Sequence, residues 1–366
     1  MKSISKDNNM KKIVFIILNG EEYGGSEKNV SDIINNLDRE YEITLICSIG
    51  NKIVEKINKK ENINLFSMKR GIISLVQIYD VLRNISPDIV HLHAARAIFM
   101  GRLVTNLVNF IERKNIQIVT TVHGLYFSPK KDNLIVRCLF GFFSSSDACT
   151  VAVSKKDGEL LKNKFNYKKK IEIIYNGIDL DRFKIKVNKK KITSNLGFIG
   201  RLSQQKNPEI MIQLAQKVKK NYDILIYGEG PLAGTLRSEA KEKQLPNISF
   251  MGFSEDVVKA FSTIDILVSP SLFEGLPYTY IESLAMGVPV ICTDVGGVSE
   301  VIDNSVNGIL VNSDKELVSQ IINGIEEIMG NYSFYSENAS LKAEKFSILE
   351  MVDQYKKVYE SVGEKI

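Results

Sequence analysis

The feature of this sequence that most constrains its fold is the alternation of short apolar runs with stretches of helical periodicity. In one such stretch Val30, Ile33, Ile34 and Leu37 recur at helical spacing. The strand-like runs of the first half are KIVFIILNG, ITLIC, DIVHLH, QIVTTVHG, ACTVAVS and IEIIYNG, and those of the second half are LGFIG, DILIYG, ISFMG, IDILVSP, PVICT and GILV. Strands that alternate with helices at this spacing predict parallel, doubly wound sheets.

The length of the chain predicts more than one domain. At 366 residues it exceeds one ordinary hydrophobic core. A lysine-rich segment around Ile185–Lys191 separates the two series of strands and is the candidate linker. We therefore expect two facing Rossmann-like domains with a ligand cleft where the carboxyl ends of both sheets meet. Their predicted bounds are a disordered tail over 1–10, an N-terminal domain over 11–187, a C-terminal domain over 188–340, and helices over 341–366 that cross back to the N-terminal domain.

Charge and cysteine usage narrow the class of protein. The net charge of +5 is mild, and much of it lies between Lys155 and Lys191. That stretch is read either as a solvated linker face or as a patch attracted to anionic lipid. No recognition-helix motif accompanies it, which argues against nucleic acid. The four cysteines show no CxxC spacing and read as buried residues in a reducing compartment. No run is long enough to span a bilayer, so we expect a cytoplasmic protein, with peripheral membrane contact left open.

The segment Ser269–Gly297 carries the strongest functional signal. It places Glu274 and Glu282 eight positions apart, on either side of a glycine-proline turn. Pro277 is expected at the first position of the following helix, where its missing N–H costs nothing. Two carboxylates beside the positive end of a helix suit a hydroxyl-rich, anionic ligand such as a nucleotide sugar. The alternative is a helix N-terminus with ordinary acidic residues.

A second loop carries two cations. In GRLSQQKNP, Gly200–Pro208, the side chains of Arg201 and Lys206 lie five positions apart across a strand-to-helix connection, so both reach one anion. Charge-assisted hydrogen bonds to a diphosphate would stabilise a departing nucleoside diphosphate as its charge grows. The alternative is a pair of surface cations.

Two further loops follow strands of the first half. In GEEYGGSE, Gly20–Glu27, Gly24 and Gly25 allow the backbone to approach a diphosphate near a helix that begins around Ser26, or they form a plain turn. His123, followed by Gly124, ends the strand QIVTTV and is expected to point into the cleft. A buried structural histidine is the alternative.

These four elements, in this order, resemble the retaining glycosyltransferases of family 4, which have the GT-B fold. The resemblance covers nearly the whole chain after Met10. The close matches are E-x7-E at Glu274–Glu282, G-R-L-x-x-x-K at Gly200–Lys206, G-G-x-E at Gly24–Glu27 and DVGG at Asp294–Gly297. The weaker ones are YNGID at Tyr175–Asp179, AVS at Ala152–Ser154 and FS at Phe346 and Ser347.

The resemblance implies a role for each matched residue. Arg201 and Lys206 would hold the donor diphosphate, Glu274 the hydroxyls of the donor sugar, and Glu282 those of the ribose. His123 would help to place the transferred sugar. The backbones of Gly275, Leu276 and Tyr278 would line the sugar and phosphate, whereas Pro277 has no N–H to donate. The domain over 188–340 would bind the donor, and that over 11–187 would take the acceptor side.

The resemblance also implies the reaction. A sugar moves from a nucleotide diphosphate donor, expected to be uridine-linked, with retention at the anomeric carbon. The leaving phosphate takes the acceptor's proton, and no metal or other cofactor is required. By family analogy the acceptor is a growing surface polysaccharide or a lipid-linked sugar.

Three other functions are weighed against this one. A nucleotide-sugar epimerase on the same fold and a non-catalytic nucleotide-sugar-binding subunit remain alternatives. A glycosidase would also use two carboxylates, but it would not need a diphosphate clamp.

Several motifs are set aside or left open. GEGPLA, Gly228–Ala233, fits a dinucleotide fingerprint but follows the wrong strand for one. Asp179 and Asp181 are expected to form a turn and cap rather than a metal site. His91 and His93 are expected to be buried and hydrogen-bonded rather than metal ligands. LIVRCLFGFF, Leu134–Phe143, either faces a membrane or forms a buried helix.

Overall fold

The chain divides into two compact units. The computed structural model describes residues 10–19, 23–58, 61–69, 71, 73–124, 145–165, 167, 169–184, 192–218 and 221–363. The first unit comprises Met1–Tyr175 together with Leu349–Ile366, and the second comprises Asn176–Ile348. Two segments singled out above, Leu134–Phe143 and Ile185–Lys191, lie outside the described residues.

The first unit is built on a parallel sheet of seven strands, ordered β3-β2-β1-β4-β5-β6-β7. The strands are β1 Lys11–Ile17, β2 Tyr41–Ser48, β3 Ile63–Met68, β4 Ile89–His93, β5 Gln117–Val122, β6 Asp147–Ala152 and β7 Ile171–Ile173. The helices are α1 Gly25–Asn36, α2 Ile53–Lys56, α3 Ile73–Ile85, α4 Ala95–Ile111 and α5 Lys155–Phe165. The central strands are buried on both faces, which explains their continuous apolar runs.

The second unit repeats this plan with a parallel sheet of six strands, ordered β10-β9-β8-β11-β12-β13. The strands are β8 Asn195–Ile199, β9 Asp223–Tyr227, β10 Ile248–Gly252, β11 Ile266–Ser269, β12 Val290–Thr293 and β13 Gly308–Val311. The helices are α6 Leu180–Lys184, α7 Glu209–Val218, α8 Ala233–Glu242, α9 Val257–Phe261, α10 Tyr278–Ala285, α11 Leu317–Gly330 and α12 Tyr332–Ala343, with a 3-10 turn at Val298–Glu300.

The strand order determines where a crevice forms at the edge of each sheet. In the first sheet the order reverses between β1 and β4, and in the second between β8 and β11. The loops that leave two such neighbouring strands turn to opposite faces, so a crevice forms at their carboxyl ends. The loops after β8 and β11 are those that carry Arg201, Lys206 and Glu274.

The last helix, α13 Ile348–Gly363, packs into the first unit from its second residue onward. Tyr355 and Tyr359 are fully buried there. The Lys11 ammonium donates to the Tyr359 carbonyl oxygen at 2.9 Å.

The structure departs from the sequence expectations at several short helices, α2, α6 and α9, and at three further places. The strand β3 was not predicted, because most of its side chains are exposed and it lacks an apolar run. The helix α12 was not predicted either, since it carries almost no amphipathic pattern. Pro277 is the N-cap, with extended ψ, rather than the first helical residue, and helix α10 begins at Tyr278.

Candidate active site

The two loops at the crevice of the second sheet are joined by their backbones. Gly200–Pro208 follows β8, and the segment from Pro270 to Pro277 follows β11. The Leu272 N–H donates to the Gln205 carbonyl at 2.8 Å, and the Gln205 side-chain amide donates to the Phe273 carbonyl at 3.1 Å. These bonds hold the loops in register, so the side chains that they carry occupy fixed relative positions.

Lys206 and Glu274 meet directly. Lys206 Nζ lies 2.5 Å from Glu274 Oε1, and the side chains are 20% and 6% exposed. The carboxylate is therefore almost enclosed, while part of the ammonium still faces outward. The two loop backbones hold this ion pair in place. The pair keeps the Lys206 ammonium at the edge of the loop, where an anion can reach it.

The loop after β12 encloses Glu274 from the other side. Gly296 has φ +59, and a Cβ built on it would collide with the Glu274 carbonyl oxygen. The next residue, Gly297, donates its N–H to the Gly275 carbonyl at 3.0 Å. The DVGG segment thus needs glycine here for both its backbone angle and the close approach of two chains.

The segment after Glu274 is held by a residue from the start of the second unit. Asn176 is buried, and its side-chain amide donates to the Leu276 carbonyl at 2.6 Å. Ile178 pairs with Ser347, and its N–H donates to the Phe346 carbonyl at 2.9 Å. The YNGID and FS motifs are therefore neighbours, and one of them fixes the backbone at Leu276.

Glu282 lies in helix α10 and is 8% exposed. Tyr280 ties this helix to the end of strand β11, since its hydroxyl donates to Ser269 Oγ at 2.9 Å. Tyr278 is buried at its first position. Arg201 lies in the loop after β8 with an exposed side chain. The second unit therefore brings Lys206 and Glu274 together, and it places Arg201 and Glu282 on the loop and the helix that follow two neighbouring strands, β8 and β11.

The GEGPLA segment supports this site instead of forming one of its own. A Cβ on Gly228 would collide with the Gly200 carbonyl, and one on Gly230 would lie 2.5 Å from the Leu202 carbonyl. The Leu202 N–H donates to the Glu229 carbonyl at 2.9 Å. These glycines allow the loop after β9 to pack against the loop that carries Arg201.

In the first unit the glycine loop is organised by a buried carboxylate. Glu27 accepts from the Gly24 N–H at 3.1 Å, from the Ser26 hydroxyl at 2.9 Å and from the Asn19 amide at 2.7 Å. Gly24 is the N-cap of helix α1, and Gly25 is its first residue. Gly20, Glu21 and Glu22 lie outside the described residues. In the G-G-x-E motif, Glu27 therefore fixes the shape of the loop. The backbone of the two glycines is the part of the loop that a ligand could contact.

Three histidines form a layer at the carboxyl edge of the first sheet. His91 Nδ1 lies 2.8 Å from the Tyr359 hydroxyl, and His91 Nε2 lies 2.8 Å from Thr121 Oγ1. His93 Nδ1 lies 3.0 Å from His123 Nε2. The prediction that His91 and His93 are buried and hydrogen-bonded is confirmed.

Burial sets the charge of this layer. It lowers the pKa of His91 and His93 well below the usual 6.5, with help from the neighbouring imidazoles, and it lowers the pKa of His123 to about 4. All three rings are therefore neutral near pH 7. His123 can donate or accept one hydrogen bond at its second ring nitrogen, but it carries no charge with which to bind an anion.

Two weaker motifs have local structural roles. Asp179 Oδ1 accepts from the Asp181 N–H at 3.1 Å, which confirms the predicted turn and cap. Ser154 of the AVS motif caps helix α5, since its Oγ accepts from the Asp157 N–H at 3.0 Å. Over the described ranges, no three His, Cys, Asp or Glu side chains are grouped as metal ligands would be. No helix in that part of the chain has the length and apolar character needed to cross a bilayer.

Sequence reasoning missed several residues that shape these sites. Asn176 and His93 act on groups 100 and 30 positions away, which local spacing does not reveal, and Asn19 acts on Glu27 eight positions away. A signal was nevertheless present for two of them. Asn176 lies within the YNGID match, and His93 shares a strand face with His91.

Two protein-family models match the chain, one in its first half and one in its second half. A model described as Glycosyltransferase Family 4 matches residues 23–182. A model described as Glycosyl transferases group 1 matches residues 193–330. The two matches follow one another and together account for most of the sequence.

The curated relatives include bacterial transferases of nearly equal length. The chain is 24% identical to the UDP-Gal:alpha-D-GlcNAc-diphosphoundecaprenol alpha-1,3-galactosyltransferase of Escherichia coli, over 88% of this chain and 89% of that protein. It is 26% identical to the N-acetylgalactosamine-N,N'-diacetylbacillosaminyl-diphospho-undecaprenol 4-alpha-N-acetylgalactosaminyltransferase of Campylobacter jejuni, over 88% of this chain and 92% of that protein.

Solved structures show the same fold. The crystal structure of Anabaena HepE in complex with UDP matches with a TM-score of 0.79 over 96% of this chain and 100% of that one. Because the sequences are 17% identical, this likeness concerns the fold. It agrees with the two parallel sheets described above.

Proposed function

Since the chain belongs to the family 4-like glycosyltransferases of the GT-B fold, we propose that it moves a sugar from a uridine diphosphate donor to a saccharide or lipid-linked saccharide, with retention. The observation that carries this proposal is the Lys206–Glu274 pair enclosed at the crevice of the second sheet. It places a cation and a nearly buried carboxylate within one hydrogen bond of each other. A diphosphate and the hydroxyls of its sugar need those two groups side by side.

Arg201 and Lys206 bind the diphosphate in this proposal, and Glu274 binds sugar hydroxyls. The ion pair is compatible with both roles, because a carboxylate has lone pairs to spare for hydroxyl donors while it keeps Lys206 oriented. Transition-state stabilisation arises since the leaving diphosphate gains charge beside two cations.

The start of helix α10 supplies the remaining donor contacts. The backbones of Gly275, Leu276 and Tyr278 line the sugar and phosphate, and Glu282 accepts from the ribose hydroxyls. Support comes from how this backbone is held. Asn176 fixes Leu276, and Gly297 fixes Gly275, so the groups are positioned before the ligand arrives.

In the first unit we propose roles for Gly24, Gly25 and His123. Glu27 takes up the Gly24 N–H at the start of helix α1, so the N–H groups of the first helical turn, from Gly25 onward, are those that suit a phosphate. We assign His123 to placing the transferred sugar. Its neutral ring suits hydrogen bonding to a hydroxyl rather than charge neutralisation.

The names of the relatives support the substrate classes. The Escherichia coli relative is named for a UDP-linked donor, and both relatives are named for acceptors on diphosphoundecaprenol. HepE was solved with UDP. We therefore propose a uridine diphosphate sugar as donor, a lipid-linked saccharide as acceptor and a role in surface polysaccharide biosynthesis. The epimerase and binding-subunit alternatives find no support, because the curated relatives described above are transferases.

The reaction balances without a protein base or a metal. The acceptor oxygen forms a bond to the anomeric carbon as the bond from that carbon to the phosphate oxygen breaks. The acceptor's hydroxyl proton passes to the leaving phosphate oxygen on the same face of the sugar. Lys206 and Arg201 supply the positive charge that the departing diphosphate requires.

We also propose that the protein works on the cytoplasmic side of a membrane and touches an anionic lipid surface through helix α4. Its exposed side chains include Phe99, Leu103, Leu107 and Phe110, which recur at helical spacing, and the helix carries no acidic residue. Exposed arginines lie at its start and just beyond its end, Arg96 and Arg113. An apolar stripe between cations fits an anionic membrane surface.

A transfer assay tests the proposed reaction. The purified chain is incubated with each of a set of uridine diphosphate sugars and a synthetic lipid-diphosphate saccharide, with and without EDTA. We expect a product heavier by one sugar, unaffected by EDTA, whose anomeric coupling in proton NMR matches that of the donor. A new sugar epimer formed without acceptor would instead indicate an epimerase. Tight donor binding with neither sugar transfer nor slow donor hydrolysis would indicate a binding subunit.

A further inference from the structure

One buried polar group in the first unit has no role in the scheme above. His93 is fully buried, and its ring centroid lies 4.0 Å from that of His91 and 5.3 Å from that of His123. Its Nδ1 faces His123 Nε2 at 3.0 Å. Its other ring nitrogen, Nε2, is buried and has no hydrogen-bond partner among the described residues.

The facing nitrogens share a single proton. Burial keeps both imidazoles neutral near pH 7, and a neutral imidazole carries one ring proton. A hydrogen bond between Nδ1 of His93 and Nε2 of His123 requires that one of them be protonated and the other bare. Only two arrangements satisfy this condition.

The arrangements differ in what they leave on the unpartnered nitrogen of His93. If His123 Nε2–H donates, then His93 carries its proton on Nε2, as a buried N–H with nothing to receive it. If His93 Nδ1–H donates, then Nε2 is a bare lone pair. Orphaned N–H groups are rare in protein interiors.

We propose that His93 is a positioning residue that donates through Nδ1–H and so holds His123 as its Nδ1–H tautomer. The free nitrogen of His123 is then a hydrogen-bond donor. In a step that rests on the proposed function, this N–H donates to a hydroxyl oxygen of the transferred sugar. The tautomer itself belongs to the protein without ligand, so it is measurable whether or not the transfer reaction is found.

Nitrogen NMR of the free protein decides the tautomer. The chain has three histidines, so selective 15N-histidine labelling gives three imidazoles, assigned by single variants. Protonated and bare ring nitrogens resonate in well-separated ranges. We expect His123 to be bare at Nε2 and protonated at Nδ1, and His93 to show the same pattern. A proton on His123 Nε2 would overturn the proposal.

A pair of variants separates positioning from simple packing. His93→Phe keeps a ring but removes the donor, whereas His93→Asn keeps an N–H close to the position of Nδ1. We expect His93→Phe to lose the single His123 tautomer and to lower kcat about tenfold with little change in KM, the scale of one lost hydrogen bond. His93→Asn should restore both. Equal losses in the two variants at matched thermal stability, or an unchanged His123 spectrum in His93→Phe, would refute the positioning role.

Discussion

Gly296 lies against the backbone of Glu274 so closely that a Cβ on the glycine would collide with the glutamate carbonyl oxygen. The side chain of Glu274 in turn pairs with Lys206. A residue with no side chain thus determines where the carboxylate that we propose binds the donor lies.

Gly296→Ala should therefore displace Glu274 and weaken donor binding. The left-handed φ of this position adds strain of about 1–3 kcal/mol to the steric conflict. UDP affinity by calorimetry and Tm should both fall. Gly234→Ala is the matched control, because a Cβ there meets no atom within 4 Å and alanine is favoured in helix α8. Equal behaviour of the two variants would argue against the glycine contact.

Lys206→Ala or Arg201→Ala should lower turnover by roughly 10²–10³, the effect of losing one electrostatic stabiliser. Lys206→Ala should also destabilise the fold, because the Glu274 carboxylate, which is only 6% exposed, then lacks its cation. Steady-state kinetics and thermal melting measure these effects. Lys241→Ala, on an exposed helix face of the same unit, serves as the control. Near-normal turnover in both site variants would remove the diphosphate clamp from the mechanism.

Glu282→Ala should weaken UDP binding while the fold stays intact, because we propose that the carboxylate accepts from the ribose hydroxyls. Two charge-assisted hydrogen bonds lost at about 1.5 kcal/mol each would lower affinity on the order of 100-fold. Calorimetry with UDP measures the change, and Glu344→Ala at an exposed position is the comparison. Unchanged affinity would exclude the ribose role.

The histidine layer should make stability depend on pH between about 4 and 6.5. In the folded state the pKa of His123 is about 4, whereas the unfolded chain takes up the proton near 6.5. Between these values the unfolded state binds more protons, so the free energy of unfolding decreases as the pH falls. Each histidine contributes at most about 1.4 kcal/mol per pH unit.

Thermal unfolding at pH 7 and pH 5 checks this dependence. The Tm of the wild-type protein should drop on acidification, and the drop should be smaller in His123→Gln. A pH dependence that is the same in the variant would mean that His123 titrates normally in the folded protein.

Leu107→Glu and Phe110→Glu should reduce sedimentation of the protein with anionic liposomes. Both side chains are exposed on helix α4, and Phe110 is 85% exposed. Phe253→Glu, which changes a similarly exposed aromatic residue of the second unit, should leave lipid binding unchanged. Equal binding by all three variants would locate any membrane contact elsewhere.

The sequence predicted the sheets well because parallel strands that are buried on both faces must be apolar throughout. It also predicted that Arg201, Lys206 and Glu274 follow two strands of the same sheet. It did not predict β3, whose exposed edge position needs no apolar run. Helix α12 was missed for a related reason, since its burial is not arranged in one stripe.

The direct contacts of the site lay beyond sequence reasoning. Lys206 and Glu274 are separated by 68 positions, and only the strand order β8-β11 brings their loops together. The roles of Gly296 and Asn176 depend on which carbonyl each approaches. Such distances follow from topology, which spacing along the chain does not encode.

The closing helix has a consequence for how the protein is made. Tyr355 and Tyr359 complete the layer beneath His91, yet they are translated after the whole of the second unit. During translation the strands of the first unit are therefore made before the two tyrosines, and the layer stays incomplete until the second unit has been synthesised. Assembly of the histidine layer is thus one of the last events in the biogenesis of the protein.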